Sequence, residues 1–327
     1  MLIIRSIWAV MAAAAGLALS VPSAHADYPD RPVTLVVPYA PGGAVDLVAR
    51  TLGRGLEQKL GKPFVIVNKP GGSSAVAATF VANAPADGYT ILLATSTTMA
   101  INSTVFKKLG YTPLVDLAPV SLAASVPFIL IVNDKVPVHS VADLVKLAKS
   151  KPNELVYGSS GPGSAAHLFM QDFAGATGIK LTHVPYRGSS QALQDLIAGR
   201  TQLMFADAPV VLPLIRAGKV RALGVSTEKR LPSAADLPTL AESGVPGYDA
   251  SSWHMIVAPA GVPEGVIRKL HAALQETQAD SAFISAVSSR GVVPQVGSTP
   301  DQLRGYIESE IVRWGKIVKD VGLAHSM

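Results

Sequence analysis

The sequence comprises 327 residues with a formal net charge of +5 and no cysteine. Without cysteine the chain has neither disulfide bonds nor thiolate metal ligands, and its seven scattered histidines lack the spacing of a zinc site. It also lacks a basic run with interleaved aromatic residues, which argues against nucleic-acid binding. A mild positive charge is compatible with an anionic ligand.

The first 26 residues have the pattern of an export signal. Arg5 precedes an apolar run at residues 7–21, and Ala24-His25-Ala26 has the small residues of a cleavage site. The apolar run is short for a membrane span, although a retained N-terminal anchor is the alternative. Cleavage after Ala26 leaves about 300 residues, enough for two domains. With no disulfides and no other anchor, we expect a soluble protein in the periplasm.

Predicted strands and helices alternate through the first hundred residues of the mature chain. Val33–Val37 is a continuous β-branched and apolar run, typical of a buried parallel strand. Residues 45–60 carry leucine and valine at spacings of three and four, which indicates an amphipathic helix. A strand at 64–67, a helix at 75–81 and a strand at 90–94 follow. The alternation predicts an α/β fold with a parallel sheet covered on both faces.

The same alternation continues to the C-terminus with less regular spacing. Later strands are predicted at residues 120–124, 129–132, 155–158, 181–185, 202–205, 220–226, 253–258 and 292–296. Later helices are predicted at residues 141–149, 165–175, 191–198, 210–217, 264–279, from 280 onward and 300–319. The last part has too few strands for a third domain, so we expect it to complete the first. This predicts two lobes joined by two chain crossings: residues 27–126 with 248–327, and residues 127–247.

Three loops rich in glycine or hydroxyl groups directly follow predicted strands. The first is Tyr39-Ala40-Pro41-Gly42-Gly43-Ala44, the second is Thr95-Ser96-Thr97, and the third is Gly158 to Ser164. Ligands of open parallel sheets bind at the carboxyl ends of the strands, so we expect the loops to meet in one cleft. Backbone N–H groups at a helix start, together with the helix dipole, suit a carboxylate or a phosphate.

Four further side chains each allow a binding role and a structural role. Asp46 lies in the first turn of its helix, where a carboxylate stabilises the dipole, and we favour this support over ligand contact. His167 follows the third loop and faces either the cleft or the core. Asp207 either binds a ligand ammonium or hydroxyl or, as we favour, caps the next helix. Arg187 either clamps a carboxylate or, as we favour, has a structural or rim role.

Motifs of common catalytic and nucleotide-binding sites are missing. Pro162 stands where a Gly-x-Ser-x-Gly nucleophile motif has its last glycine. The spacing of Gly158, Gly161 and Gly163 is not the dinucleotide fingerprint, and no Gly-Lys-Ser or Gly-Lys-Thr follows it. We therefore predict binding without turnover, with neither a metal nor a cofactor.

Six motifs extend in order over essentially the whole mature chain. They are PYAPGGAVD at 38–46, NKPGG at 68–72, DGYT at 87–90, YGSSGPGS at 157–164 with His167, VPYRG at 184–188 and PTLAE at 238–242. With this combination the chain resembles the Bug (TctC-like) family of extracytoplasmic solute receptors of tripartite tricarboxylate transporters. The resemblance implies a type II periplasmic-binding-protein fold, two lobes that close on a ligand, and a partner membrane permease.

The resemblance also implies how a ligand is held. Family ligands are mostly small carboxylates: di- and tricarboxylates, acidic amino acids and aromatic acids. Family members bind the carboxylate through backbone amides and hydroxyls of the two glycine-rich loops, with ordered waters. Carried over to this chain, these positions are Tyr39, Ala40, Gly42, Gly43, Ala44, Thr95, Ser96, Thr97, Ser159, Ser160, Gly163 and Ser164. Asp46, His167 and Asp207 complete the candidate ligand-binding set.

Two positions depart from the family pattern. Met99 stands where members often have histidine, and Ala208 where they often have asparagine. Both changes make the cleft less polar, which favours a monocarboxylate or an aromatic acid. We predict a monomeric periplasmic receptor that captures a small organic carboxylate by hinge closure and delivers it to a permease. A ligand sensor for a signalling system and a carboxylate-ester hydrolase are the alternatives.

Overall fold

The computed structural model describes residues 28–327, so the predicted export signal and its cleavage site near Ala26 lie outside the described residues. The described strands are β1 (Val33–Val37), β2 (Phe64–Asn68), β3 (Thr90–Thr95), β4 (Leu117–Val132), β5 (Val156–Ser159), β6 (Thr182–Pro185), β7 (Leu203–Asp207), β8 (Arg221–Val225), β9 (Ser251–Pro259) and β10 (Val293–Pro294). The described α-helices are α1 (Ala44–Leu60), α2 (Ala75–Ala82), α3 (Asn102–Val105), α4 (Val141–Ser150), α5 (Ala165–Thr177), α6 (Ser189–Ile197), α7 (Ala208–Arg216), α8 (Glu264–Ala279), α9 (Ser281–Ser288) and α10 (Pro300–Asp320). A π-helical turn at Thr97–Ile101 leads into α3.

A mixed sheet organises these elements. Its strand order is β2-β1-β3-β9-β4-β7-β5-β6, and β8 and β10 also pair with β4. β1 runs parallel to β2 and β3, and β5 runs parallel to β6 and β7, as the alternation of strands and helices predicts. β9 and β4 are antiparallel to each other and to their other neighbours. The sequence pattern does not predict this antiparallel middle, because β9 comes from the distant C-terminal part of the chain.

β4 is one continuous strand of 16 residues, which corrects the prediction of two strands separated by Ser125-Val126-Pro127. Up to Pro127, which is opposite Ser251, β4 pairs with β9. From Phe128 onward it pairs with β7 and β8. Proline cannot donate to a strand partner, and it is tolerated here because it lies where the partner strand changes. β4 therefore passes from one half of the sheet to the other.

Helix α1 illustrates how the sequence directs local structure. Val48, Leu52 and Leu56 are fully buried at spacings of four, so one face of the helix packs on the sheet. Each buried leucine contributes about 2 kcal/mol through removal of its apolar surface from water. Gly61 ends the helix with a φ of 71° and donates its N–H to the carbonyl of Glu57. The buried face therefore fixes α1 against the sheet, and Gly61 sets the point at which the helix ends.

The C-terminal helix is attached to both halves of the sheet through buried side chains. Glu310 accepts hydrogen bonds from Nε1 of Trp253 at 2.7 Å and from Nε1 of Trp314 at 2.8 Å. The Trp314 ring stacks on Phe169 of α5 with ring centroids 5.6 Å apart. One helix thereby contacts β9 and α5. Within residues 28–327, no helix is both long enough and apolar enough to cross a membrane.

Candidate functional site

The three predicted loops meet at a cavity beside the carboxyl ends of β1, β3 and β5. Its volume is about 30 Å³, which is room for one or two water molecules. It is lined by Tyr39, Ala40, Gly43, Ala44, Val45, Thr95, Thr97, Phe128, Ser160, Ala165, Ser189, Asp207, Ser252 and His254. Residues 28–327 contribute no lysine or arginine to this lining. The donors that an anion would meet there are backbone N–H groups, hydroxyls and the imidazole of His254.

A hydrogen-bond network centred on Asp46 shapes the first loop. Oδ2 of Asp46 accepts from the backbone N–H of Gly42 at 3.1 Å and from Nε of Arg50 at 2.9 Å. Nδ2 of Asn68 donates to Oδ1 of Asp46 and to the carbonyl of Tyr39. Burial raises the pKa of Asp46, but the hydrogen bonds from Arg50, Gly42 and Asn68 outweigh it and leave the pKa lowered. Neither Asp46 nor Gly42 lines the cavity, so Asp46 supports the loop.

The N-terminus of α1 forms one side of the cavity. Gly43 is the N-cap residue, and it makes no side-chain capping hydrogen bond. N–H groups in the first turn of a helix have no intrahelical acceptor, and the helix dipole adds partial positive charge there. Gly43, Ala44 and Val45 all line the cavity. This combination of donors and dipole suits a carboxylate.

Hydroxyl groups of the second loop surround Tyr39. Burial raises the pKa of Tyr39, partly offset by hydrogen bonds with Thr97 and Thr95, so its phenol remains a hydrogen-bond donor at neutral pH. Thr95 and Thr97 line the cavity. Ser96 does not, and its Oγ lies 3.0 Å from Oγ of Ser252. The second loop therefore contributes two of its three predicted residues to the lining.

The third loop is held in shape by its own hydroxyls. Oγ of Ser159 and Oγ of Ser164 donate to the carbonyl of Gly161 at 3.0 Å and 2.7 Å. Both serines are fully buried and neither lines the cavity. Ser160, between them, does line it. The predicted loop thus contains one cavity-lining serine and two that fix its conformation.

His167 lies behind the third loop and does not line the cavity. Its Nδ1 accepts from the backbone N–H of Gly163 at 2.9 Å, and its ring stacks on His183 with centroids 3.9 Å apart. Burial, and then the neighbouring His183, lower the pKa of His167 to about 3. Burial lowers the pKa of His183 to about 4. Both rings are neutral at neutral pH, and His167 contacts the third loop through its hydrogen bond with Gly163.

Asp207 lines the cavity, and the favoured prediction that it caps a helix is wrong. It occupies the N-cap position of α7, but its side chain makes no capping hydrogen bond. Oδ2 of Asp207 instead accepts from Oγ of Ser189, which also lines the cavity. Burial raises the pKa of Asp207, partly offset by this hydrogen bond. Asp207 is therefore a buried acceptor in the cavity wall.

A second cavity of about 600 Å³ adjoins the first and shares Tyr39 and Ser160 with it. Arg187 lines this larger cavity and is exposed, and its backbone N–H donates to Oε1 of Gln191 at 3.3 Å. Arg187 consequently lies outside the small cavity, in agreement with the rim position favoured from the sequence. It is the arginine through which the larger cavity can attract anions.

Six lining residues are not among the predicted site residues: Val45, Phe128, Ala165, Ser189, Ser252 and His254. Ser252 and His254 are two residues apart on β9, so their side chains lie on the same face of that strand. His254 is directly opposite Thr95 of β3, whose side chain therefore shares this face. Ser252 and His254 alternate with Trp253 near the start of an otherwise apolar strand, and this pattern is the sequence signal for the two residues.

Comparison with known proteins gives a consistent match. A family described as tripartite tricarboxylate transporter family receptor matches residues 48–323. R. palustris Rpa4515 with adipate is 41% identical with a TM-score of 0.89, over 91% of this chain and 99% of that chain. The periplasmic binding protein BugD is 32% identical with a TM-score of 0.88, over 91% and 99%. MatC (Rpa3494) from Rhodopseudomonas palustris with bound malate is 31% identical with a TM-score of 0.85, over 89% and 100%. The fold is the type II periplasmic-binding-protein fold.

Proposed function

The chain belongs to the tripartite tricarboxylate transporter receptor family, and we propose that it binds a small organic carboxylate in the periplasm and delivers it to a membrane permease. Rpa4515 was solved with adipate and MatC with malate. Both compounds are dicarboxylates, so these relatives favour that ligand class for this chain. The permease is implied by the family, and the chain itself acts as the receptor.

The observation that carries the proposal is the uncapped N-terminus of α1 in a cavity wall without lysine or arginine among the described residues. The first-turn N–H groups of Gly43, Ala44 and Val45 bind the ligand carboxylate, and the dipole of α1 stabilises its charge. The hydroxyls of Tyr39, Thr95 and Thr97 complete the set of donors. Neutral donors hold the anion without a fixed cation, which permits later release.

Met99 and Ala208 have less influence on the ligand than their sequence positions suggest. Both residues are fully buried, and neither lines the cavity. Their apolar character therefore does not make the cavity wall less polar, and it does not favour a monocarboxylate or an aromatic acid. Six side chains of the wall carry hydroxyls, which is compatible with a polar dicarboxylate.

We propose that residues 27–126 with 248–327 form one lobe and residues 127–247 the other, and that they close on the ligand. Hydrogen bonds between the loops join the two segments in this conformation: Oγ of Ser73 donates to the carbonyl of Pro162, N of Ala165 to Oγ1 of Thr97, and Oγ of Ser190 to the carbonyl of Pro41. A cavity of about 30 Å³ is too small for a dicarboxylate. Opening near Val126-Pro127 and near Pro246-Tyr248, where the chain passes between the segments, gives the ligand access.

Calorimetry with protein freed of carried-over ligand tests the proposal. The panel contains adipate, malate, succinate, glutamate and nicotinate, each paired with the amide in which every carboxylate is replaced. We expect at least one acid to bind in the micromolar range or tighter, and its amide to bind about a hundredfold more weakly, because hydrogen bonds to a charged group are the stronger ones. Equal affinity for acid and amide, or no binding by any acid, would contradict the proposed carboxylate site.

Two alternatives have distinct tests. A hydrolase requires a nucleophile beside a base, and Oγ of Ser159 does lie 2.7 Å from Nε2 of His183. Ser159 is fully buried and does not line the cavity, so a substrate cannot reach it without rearrangement of the loop. A signalling receptor is tested in a strain that lacks the permease, by measurement of both the uptake of the bound acid and the signalling response. Abolished uptake with an undiminished signalling response would support sensing.

A further inference from the structure

Lysines collect at the edge of the sheet that lies opposite the small cavity. β7 is parallel to β5 and antiparallel to β4, so β4 ends at the edge where β5, β6 and β7 begin. The small cavity lies beyond the other end of β5. The segments that lead to or from the first edge carry five exposed lysines, which we call the lysine face: Lys135, Lys146, Lys149, Lys151 and Lys180.

The segments after β4 and before β5 and β6 bring three of these lysines together. Lys135 and Lys151 line the same cavity, which has a volume of about 390 Å³. The backbone N–H of Asn153 donates to the carbonyl of Lys180 at 3.0 Å, so the start of β6 lies beside the turn that follows Lys151. Lys135, Lys151 and Lys180 are therefore neighbours on one surface, although they come from three separate segments.

Helix α4 adds the other two lysines to this surface. A Cβ atom added to Gly178, just after α5, would lie 4.0 Å from Nζ of Lys149. Gly178 precedes Lys180 by two residues, so the side chain of Lys149 lies next to the segment that carries Lys180. Lys146 lies one turn before Lys149, on the same side of α4. All five lysines thus belong to one continuous face.

Few acidic groups offset the charge of the lysine face. Glu154 pairs with Lys151 at 3.6 Å, and more than half of each of these side chains is exposed. Asp134, which precedes the first lysine of the face, pairs with Arg221 at 2.6 Å. Asp143 lies in the first turn of α4, where it accepts from a backbone N–H. Within residues 28–327 the other four lysines of the face form no ion pair. Five lysines and one paired glutamate leave a net charge of +4 on the face.

The helix dipole accounts for only part of this arrangement. Lys149 lies in the last turn of α4 and Lys180 follows α5, where a cation stabilises the end of a helix. Lys135 follows a strand, so the dipole gives no reason for its charge. The wall of the small cavity contains no lysine or arginine among the described residues. The concentration of positive charge at the lysine face is therefore unrelated to the ligand in that cavity.

Exposed lysines spread over a broad face suit a surface of many mobile anions. Lysine carries a compact, strongly hydrated charge on a flexible stem, whereas rigid bidentate sites for a single anion use arginine. The headgroups of anionic phospholipids form such a surface, and each lysine close to it strengthens binding about fivefold. The attraction acts over about 10 Å at 0.1 M salt, so the five lysines can act together without a fitted pocket.

We propose that the lysine face binds membranes of anionic phospholipid and holds the protein loosely at their surface. The face and the small cavity lie at opposite ends of β5, so a ligand can bind while the lysines contact headgroups. Electrostatic contact of this kind is reversible, and it confines the search for a membrane partner to two dimensions. No residue of the small cavity takes part, so the membrane contact does not depend on which ligand is bound.

Sedimentation with sucrose-loaded vesicles tests this proposal. One set of vesicles contains equal parts of phosphatidylglycerol and phosphatidylcholine, and the other contains phosphatidylcholine alone. We expect the purified protein to sediment with the anionic vesicles only. We expect its release at about 1 M salt, where screening shortens the range of the attraction to about 3 Å.

Two variants with the same net charge locate the contact. Lys135→Glu, Lys149→Glu and Lys180→Glu together should weaken binding to anionic vesicles at least tenfold, and they break no ion pair of the described residues. The matched control combines Lys108→Glu, Lys229→Glu and Lys319→Glu, three exposed lysines outside the face, and should bind nearly as wild type does. Thermal midpoints and carboxylate affinities close to those of wild type in both variants would show that the fold is intact.

Four results would overturn the proposal. Wild-type protein that does not sediment with anionic vesicles would show that the face does not bind them. Equal sedimentation with both sets of vesicles would exclude attraction by charge. Equal losses in the two triple variants would show that net charge alone matters. Capture on poly-glutamate beads without vesicle binding would assign the face to an acidic protein segment. Calorimetry with carboxylates tests the proposed function separately, so failure of one proposal leaves the other standing.

Discussion

The backbone N–H of Ala165, at the start of α5, donates a hydrogen bond of 3.2 Å to Oγ1 of Thr97. Both residues line the small cavity. Thr97 precedes the long strand β4 in the sequence, and Ala165 follows it. The first N–H groups of a helix need an acceptor from outside the helix, and here a threonine of another loop supplies it. The second and third loops are therefore joined directly at the wall of the cavity.

Thr97→Val removes this acceptor while preserving the shape of the side chain. We expect at least a fivefold loss of affinity for the best carboxylate, because the closed conformation loses one hydrogen bond between the two segments and the ligand loses one hydroxyl donor. Thr97→Ser keeps the hydroxyl and serves as the control, with affinity close to that of wild type. Calorimetry on the three proteins makes the comparison, and wild-type affinity in the valine variant would show that the bond plays no part in closure.

Asp46→Ala is expected to destabilise the protein by about 1–2 kcal/mol at pH 7, because the N–H of Gly42 and the side chain of Asn68 lose their acceptor. The pKa of Asp46 is lowered in the folded protein, so its stabilising effect is full above about pH 4 and declines as the pH falls through the folded pKa. The difference between wild type and variant should therefore shrink at pH 3. Urea denaturation at both pH values measures it, and a pH-independent difference would argue against the ionised carboxylate as the stabilising group.

Gly163→Ala tests whether the third loop requires its backbone conformation. Gly163 has a φ of 68°, and an added Cβ would lie 2.9 Å from Cγ1 of Val105. We expect a loss of about 1–2 kcal/mol in stability and about a tenfold loss in affinity as the loop shifts. Gly175→Ala is the matched control, since it lies within α5 with open space around it and should be neutral or slightly stabilising. Equal effects of the two substitutions on stability and affinity would show that the loop does not require the backbone conformation of Gly163.

Two buried histidines, His167 and His254, and the partly buried His183 determine how stability depends on pH. Burial lowers the pKa of His167 and of His254 to about 3, and that of His183 to about 4. Between these values and the ordinary value near 6.5 the unfolded chain binds protons that the folded chain does not, so stability falls as the pH falls. The expected slope is up to about 1.4 kcal/mol per pH unit for each histidine. Urea denaturation between pH 6.5 and 5 should show this dependence of the unfolding free energy on pH. In His254→Phe the slope should be smaller by the contribution of one histidine. An unchanged slope in that variant would mean that His254 is protonated in the folded state.

Local sequence patterns predict the scaffold of the site well. Strand β1 has the predicted bounds, and its loop and helix follow as expected because a β-branched run, a glycine turn and an amphipathic helix are all local features. The convergence of three loops follows from the rule that parallel strands end at the same edge of a sheet. Eight of the predicted residues accordingly line the cavity: Tyr39, Ala40, Gly43, Ala44, Thr95, Thr97, Ser160 and Asp207.

The pairing of strands that are distant in the chain and the orientation of serine hydroxyls cannot be predicted from the sequence alone. The insertion of β9 between β3 and β4 brings Ser252 and His254 to the cavity, and this pairing joins residues more than a hundred positions apart. The hydroxyls of Ser159 and Ser164 turn toward Gly161 because of the geometry of their own loop. A serine in a glycine-rich loop can bind a ligand or its own backbone, and composition does not distinguish the two.

The central claim is that the N–H groups at the start of α1 bind the ligand carboxylate. Gly43 has a φ of −86°, close to the value that proline adopts, so Gly43→Pro removes one of these N–H groups with little change in backbone shape. Gly43→Ala keeps the N–H, and its Cβ would lie 4.0 Å from the nearest neighbour, the carbonyl oxygen of Ala40. Calorimetry with the best carboxylate should show at least a tenfold loss of affinity in the proline variant and near-wild-type affinity in the alanine variant. Wild-type affinity in a correctly folded Gly43→Pro protein would contradict the account.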